Sequence, residues 1–225
     1  MMSMLARYRH ISFDLDGTLV HTVPEYRYAI VPKVVHELGG AIKEERAIDR
    51  FWFEASRDEV IRREFKVEPA SFWHLFRILD TSEQRSRHTR AYDDAELTLR
   101  KLKAMGKITS VITGAPHWIA DMEVQKLNGA PLDMHFSITD SQFNGKPDPA
   151  SFHFILKKLN VSPRETLYVG NSNEDAYYAR NAGADFLYLQ RKEHQFNLRD
   201  YAVGTIDSLD HLFMRQWKVV SPTAL

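Results

Sequence analysis

Residues 10–18 read HISFDLDGT, and this stretch decides the fold. An apolar-rich run stops at two carboxylates, Asp14 and Asp16, with Gly17 and Thr18 directly behind them. Like charges two residues apart at the end of a hydrophobic strand repel each other unless a cation lies between them. Gly17 allows the sharp backbone turn that such a site requires. Four more short runs follow, at 108–114, 135–139, 166–170 and 185–189, and they are apolar on both faces rather than alternating. Strands of that kind belong to a parallel sheet covered by helices on both sides. Amphipathic stretches at 95–105, 118–127, 152–159 and 175–182 supply the helices. Asp148 before Pro149 and Ser162 before Pro163 mark helix starts, and Ser162 with Glu165 has capping-box spacing. The expected fold is an open α/β domain with a doubly wound, parallel, Rossmann-like sheet.

Between the first and second runs the pattern changes. About 70 residues pass without a strand-like run, far more than one crossover helix needs. Helical patterns at 23–38, 44–65 and 69–79, broken by Gly39-Gly40 and by Val67-Glu68-Pro69, predict an inserted α-helical domain over 21–91. The core domain is then 1–20 together with 92–225, and the joints are short, near 19–22 and 89–93. The insert is rich in rings (Phe51, Trp52, Phe53, Phe65, Phe72, Trp73 and Phe76), which reads as its own core. The basic stretch 85–90 (RSRHTR) reads as a solvated face. Exposed rings on the insert would be one route to a homodimer.

Composition excludes whole classes of function. The chain has 225 residues, with 30 Lys+Arg against 30 Asp+Glu, and no cysteine. Balanced charge argues against nucleic acid or a polybasic membrane surface as partner. The lack of cysteine removes disulfides, thiolate metal sites and cysteine nucleophiles. No apolar run approaches the ~20 residues of a membrane helix, and residues 1–7 lack the long apolar stretch of a signal peptide. The expected setting is cytoplasmic, with chemistry done by carboxylates, hydroxyls, amines or a hard metal.

Ligands of an open parallel sheet collect beyond the C-terminal ends of its strands, and four runs deliver unusual polar groups there. The first ends in Asp14 and Asp16. The second ends at Thr113-Gly114, a hydroxyl beside a free amide, suited to an anionic oxygen. After the third comes a rigid turn, Asn144-Gly145-Lys146-Pro147-Asp148-Pro149, that presents one lysine. The fourth opens into Gly170-Asn171-Ser172-Asn173-Glu174-Asp175, a polar loop starting a helix. Each piece alone is commonplace, but the four together at strand ends point to one site.

These four motifs resemble those of the haloacid dehalogenase-like (HAD) hydrolase superfamily, in its class with a helical cap between the first two motifs. The segments 168–183 (YVGNSNEDAYYARNAG) and 145–152 (GKPDPASF) resemble the phosphoglycolate phosphatase-like branch. The resemblance implies a Mg²⁺-dependent phosphatase acting on a small phosphorylated metabolite. Asp14 would attack phosphorus to form an aspartyl-phosphate, and Asp16 would serve as general acid and then base. Thr113, Gly114 and Lys146 would bind the phosphoryl oxygens. Mg²⁺ would be held by Asp14, the carbonyl of Asp16, Asn171 and Asp175. Two positions depart from the pattern. Asn171 stands where the family usually has Asp, which removes one charge from the metal site, with Glu174 a candidate substitute. His21 stands where relatives often carry Asp. A phosphomutase of the same family, or a degenerate domain that binds a phosphorylated ligand or protein without turnover, stays open as an alternative. Tyr26, Arg57, Arg62 and Arg63 are chemically suited to substrate recognition, though exposed positions on the insert's helices are the favoured explanation of them.

Overall fold

The computed structural model describes residues 4–53, 56–191 and 196–218. Its strands are β1 (His10–Phe13), β2 (Val20–Thr22), β3 (Thr89–Ala91), β4 (Ile108–Thr113), β5 (Met134–Ser137), β6 (Thr166–Gly170), β7 (Asp185–Leu189) and β8 (Ala202–Ile206). Its helices are α1 (Pro24–Glu37), α2 (Arg46–Phe53), α3 (Arg57–Val60), α4 (Pro69–Leu79), α5 (Ser82–His88), α6 (Ala95–Ala104), α7 (His117–Gln125), α8 (Ala150–Lys158) and α9 (Asn173–Ala182). The chain divides into two compact units, residues 1–21 with 91–225, and residues 22–90.

The larger unit is a six-stranded sheet in the order β5-β4-β1-β6-β7-β8, every pairing parallel. The strands β1, β4, β6 and β7 are buried on both faces because each face has its own core. Ile11, Phe13, Val111, Leu167 and Val169 pack with Leu99 and Leu102 of α6 and Ala120 of α7. The intervening residues Ile112 and Tyr168 join Phe152 and Ile155 of α8 and Tyr178 and Ala179 of α9 on the other face. The doubly wound Rossmann-like arrangement expected from the apolar runs is the one observed. The sixth strand, β8, was not among those runs. Its sequence, AVGTI, is small and half-exposed, and Gly204 sits where a Cβ would come within 2.7 Å of the Trp217 side chain. The expected capping box also closes, Ser162 N–H donating to Glu165 at 3.1 Å, but it starts a single 3₁₀ turn (Pro163–Glu165) rather than a helix.

The smaller unit is helical, and its rings form its core as expected. Phe51 lies 5.0 Å from Phe72, 5.8 Å from both Phe65 and Phe76, and 5.5 Å from Trp73. The single helix expected over 44–65 is instead α2, then α3 running into a π-helical turn at Ile61–Phe65. Arg85 also corrects the reading of 85–90 as solvent-facing. It is buried on α5, a helix capped by the Thr81 side chain, and its Nε donates to Asp80 at 3.1 Å. The Tyr26 hydroxyl donates to the same carboxylate at 2.6 Å. Buried charge is tolerated when it is paired and hydrogen-bonded in this way. Tyr26 is thereby engaged inside the helical unit, as are Arg57, on the Trp52 carbonyl, and Arg63, paired with Glu59. The two connecting segments, β2 and β3, pair as a short two-stranded sheet. Among the described residues no helix is long and apolar enough to cross a membrane.

A polar ladder crosses the centre of the large sheet. His10 on β1 bonds Thr166 on β6 through Nδ1 (3.2 Å) and Ser110 on β4 through Nε2 (2.8 Å), and Ser110 donates on to Ser12 (2.9 Å). The imidazole has no exposed surface, and burial brings its pKa down from 6.5 to about 4. The folded protein therefore keeps His10 neutral at pH values where the unfolded chain already binds a proton. Its contribution is complete above pH 6.5 and is lost as pH falls toward 4. Urea unfolding of the wild type and of His10→Gln across this range should show a difference in stability that shrinks by roughly 2–3 kcal/mol toward the acid end. A constant difference would mean that His10 does not titrate with unfolding.

Candidate active site

In the large sheet β1 lies between β4 and β6, so the C-terminal ends of all three meet at one edge. Phe13 is level with Val111 and Val169, which puts Asp14, Thr113 and Gly170 at that edge together. The Asp14 N–H is fixed by the Val169 carbonyl at 3.0 Å. Behind Asp14 the chain winds around the Leu15 carbonyl, which accepts from the N–H groups of Thr18, Leu19 and Val20, and Gly17 takes the left-handed φ of 77° that the turn demands. This winding aims the Thr18 hydroxyl back at Asp14, Oγ1 to Oδ2 3.2 Å.

Lys146 arrives from the loop between β5 and α8. Its Nζ donates to Asp14 Oδ1 at 2.7 Å and to Asp175 Oδ1 at 2.8 Å. The side chain is 7% exposed and lies over the rings of Tyr168 and Tyr178, 5.4 and 5.7 Å from their centroids. Burial alone would push Lys146 down, but Asp14 and Asp175 outweigh it and hold the ammonium above the ordinary lysine range. Burial raises the Asp14 carboxyl to about 7, Asp175 and Asp16 adding to the rise and Lys146 opposing it.

Asp175, expected among the metal ligands, also orders the loop around it. Its Oδ2 accepts from the N–H of Asn171 (3.1 Å), the N–H of Ser172 (3.1 Å) and the Ser172 hydroxyl (2.8 Å). Its Oδ1 faces Lys146, with the Tyr168 hydroxyl at 3.4 Å. Both oxygens are saturated by protein donors, so Asp175 orders the loop that opens α9. That loop is made at close quarters: a Cβ on Gly170 would lie 2.6 Å from Asp175 Oδ2.

The remaining expected residues fall as follows. Thr113 is buried at the end of β4, its Oγ1 accepting the Ala115 N–H at 3.0 Å, which leaves the hydroxyl proton to donate. Gly114 is exposed and bounded by open space. Asp16 is half-buried, and its carboxylate makes no hydrogen bond among the described residues. Asn171 is 3% exposed and its side-chain Nδ2 is buried with no hydrogen-bond partner among the described residues. His21 stacks on Tyr92 with ring centroids 4.6 Å apart. Three groups are added to the expected set. Thr18 and Ser172 stand inside the quoted motifs, and Tyr168 opens the quoted stretch 168–183, signalled by an aromatic hydroxyl between the aliphatic Leu167 and Val169 of β6.

The donor set bears on a metal. Two buried carboxylates, Asp14 and Asp175, share one ammonium while the charge of half-buried Asp16 adds to the rise of Asp14, and such an excess of negative charge favours a cation. Among the described residues no three His, Asp or Glu side chains converge as a ligand set. A hard divalent ion would therefore draw on neutral oxygens beside Asp14, and the unengaged side chain of Asn171 is placed to give one. Oxygen ligands of mixed charge suit Mg²⁺, so the residues fit.

Comparison with known proteins agrees with this geometry. The haloacid dehalogenase-like hydrolase family model matches residues 8–183. The chain is 29% identical over 197 residues to the phosphoglycolate phosphatase of Pectobacterium atrosepticum, covering 81% of this chain and 80% of the relative. It is 28% identical over 189 residues to that of Pseudomonas putida, covering 80% and 69%. A predicted phosphoglycolate phosphatase from Haemophilus somnus superposes with a TM-score of 0.73 at 20% identity, over 92% of this chain and 96% of that one, and shares the fold.

Gly170→Ala should cost about 1–3 kcal/mol in urea unfolding, because the new methyl must displace the Asp175 carboxyl. Gly145→Ala, whose Cβ meets nothing within 4 Å, should change stability by less than about 0.5 kcal/mol. Equal effects would show that Asp175 is not tightly seated.

Proposed function

The chain belongs to the haloacid dehalogenase-like hydrolases, and from that premise we propose that it is a Mg²⁺-dependent phosphatase that cleaves a small phosphate monoester through an aspartyl-phosphate on Asp14. The observation that carries this reading is the Lys146 ammonium bridging Asp14 and Asp175 at the edge where the central strands end. It leaves a carboxylate, a lysine cation and a threonine hydroxyl together, the set that phosphoryl transfer needs for attack and for holding charged oxygens.

An Asp14 oxygen attacks phosphorus, a new P–O bond forms, and the bond to the ester oxygen breaks. The leaving alkoxide takes its proton from Asp16, which sits in the same loop and whose carboxylate makes no hydrogen bond among the described residues. Water then attacks the phosphoryl group, Asp16 accepts its proton, and inorganic phosphate leaves with Asp14 restored. Lys146 and the Thr113 hydroxyl hold the phosphoryl oxygens through both halves, and Thr18 steadies Asp14. Mg²⁺, held by the Asp14 carboxylate, the carbonyl of Asp16, the side chain of Asn171 and Asp175, would neutralise the Asp16 and Asp175 charge that adds to the burial-driven rise of Asp14 and offset that of the phosphate. Two relatives that hydrolyse phosphoglycolate favour a small, anionic phosphate ester of that kind as substrate.

Assays of phosphoglycolate, sugar phosphates and p-nitrophenyl phosphate with Mg²⁺ test the reading. Turnover of at least one is expected, and Asp14→Asn should lower kcat at least about a hundredfold. No turnover at saturating Mg²⁺ would favour a domain that binds without hydrolysis. Asn171→Asp restores a charged ligand, so isothermal calorimetry should show Mg²⁺ binding several-fold tighter, toward the tenfold that ~1.4 kcal/mol represents. An unchanged isotherm would remove residue 171 from the metal site.

A further inference from the structure

Behind the loop that carries Asp16 lies a buried charge pair that none of this chemistry uses. Arg191, two residues beyond β7, and Asp94, at the head of α6, are 10% and 11% exposed. The guanidinium grips the carboxylate with both arms, Nη1 to Oδ2 3.0 Å and Nη2 to Oδ1 2.7 Å. Asp94 Oδ2 also accepts from the Ser208 hydroxyl at 2.8 Å and the Leu209 N–H at 2.9 Å. Burial pushes Asp94 up, but Arg191 and these donors outweigh it and hold the carboxyl below its usual range. The guanidinium lies 3.9 Å from the centroid of the Tyr92 ring, and Tyr92 N–H is bonded to the Leu19 carbonyl at 3.0 Å. From this anchorage Arg191 Nη2 donates outward once more, to the backbone carbonyl of Thr18 at 3.2 Å.

Thr18 is where the two networks meet. Its hydroxyl bonds Asp14 and its carbonyl is held by Arg191. We infer that Arg191 is a positioning residue: through the Thr18 carbonyl it fixes the 15–20 loop, and so the placement of Asp14 and Asp16. A planar fork clamped on one carboxylate and stacked on a ring has little freedom left, so the second N–H of its Nη2 is pre-aimed at the Thr18 carbonyl. A lysine in its place would present a single mobile ammonium. The arrangement is costly to bury and becomes worthwhile to the fold only where geometry must be tight. Misplacement of a reacting group by about 1 Å costs on the order of a hundredfold in rate.

The inference rests on the phosphatase reading, and two readouts separate them. In Arg191→Met and Arg191→Lys, kcat for an alkyl phosphate, whose leaving group needs protonation, should fall at least about tenfold more than kcat for p-nitrophenyl phosphate. KM for both should stay within about twofold. In the same variants, amide hydrogen exchange at Thr18, Leu19 and Val20 should quicken about tenfold or more, while the amides of β1 keep their wild-type protection. The lysine variant retains the charge and guards against a methionine variant that does not fold. Equal losses on both substrates, or loop protection unchanged in a folded variant, overturn the inference. The exchange result stands even if the wild type hydrolyses no ester, an outcome that would count against the phosphatase reading alone.

Discussion

One ammonium held between two buried carboxylates is the constraint on which the catalytic edge depends. Lys146, Asp14 and Asp175 come from a loop, a strand end and the first turn of a helix, and 132 and 29 residues of chain separate the lysine from its partners. Removing one member of such a buried set leaves uncompensated charge, which typically costs 3–5 kcal/mol. The surrounding details follow from keeping it intact. Gly170 has no side chain because Asp175 occupies the space. Ser172 and the loop amides saturate the far side of Asp175, and Tyr168 and Tyr178 present their rings to the lysine. The cluster is held from the sheet side by the Val169 carbonyl on the Asp14 amide, and from the loop side by Thr18.

The sheet explains why such distant residues can meet. Parallel strands end at the same edge, and placing β1 between β4 and β6 brings three strand ends side by side. The central strand is held in register by more than its backbone bonds, because His10 and Ser12 tie it to β4 and β6 through buried side chains. A neutral imidazole in the centre of a sheet is inert in this role, far from the chemistry at the other end of the strand. The same geometry leaves Arg191 just past the end of β7, within reach of the loop behind Asp14.

Much of this was legible in the sequence because it is carried by local patterns. Apolar runs without alternation require cover on both faces, and that alone gives the layered fold and five of the six strands. Asp14 and Asp16 were legible because two acids behind an apolar strand have few structural uses. Other features lie beyond local reading. β8 has an unremarkable composition, since a half-exposed edge strand needs no continuous apolar run. Arg85 looked solvent-facing among other basic residues, and it is the Tyr26 and Trp52 rings brought over it from distant sequence, together with Asp80, that make it a core residue. Asp175 could be recognised as important, but its saturation by Asn171 and Ser172 depends on how the loop closes. Arg191 and Asp94 are 97 residues apart and carry no motif, so their pairing exists only in the fold.

On the proposed mechanism Asp14, one of the two carboxylates that Lys146 pins, is the one that becomes phosphorylated. Quenching the enzyme during turnover and reducing it with borohydride converts a phosphorylated aspartate to homoserine, and peptide mass spectrometry locates the change. Homoserine is expected at position 14, dependent on substrate and absent from Lys146→Met. Modification at Asp16 or Asp175 instead, or turnover with no trapped residue at any position, would contradict it.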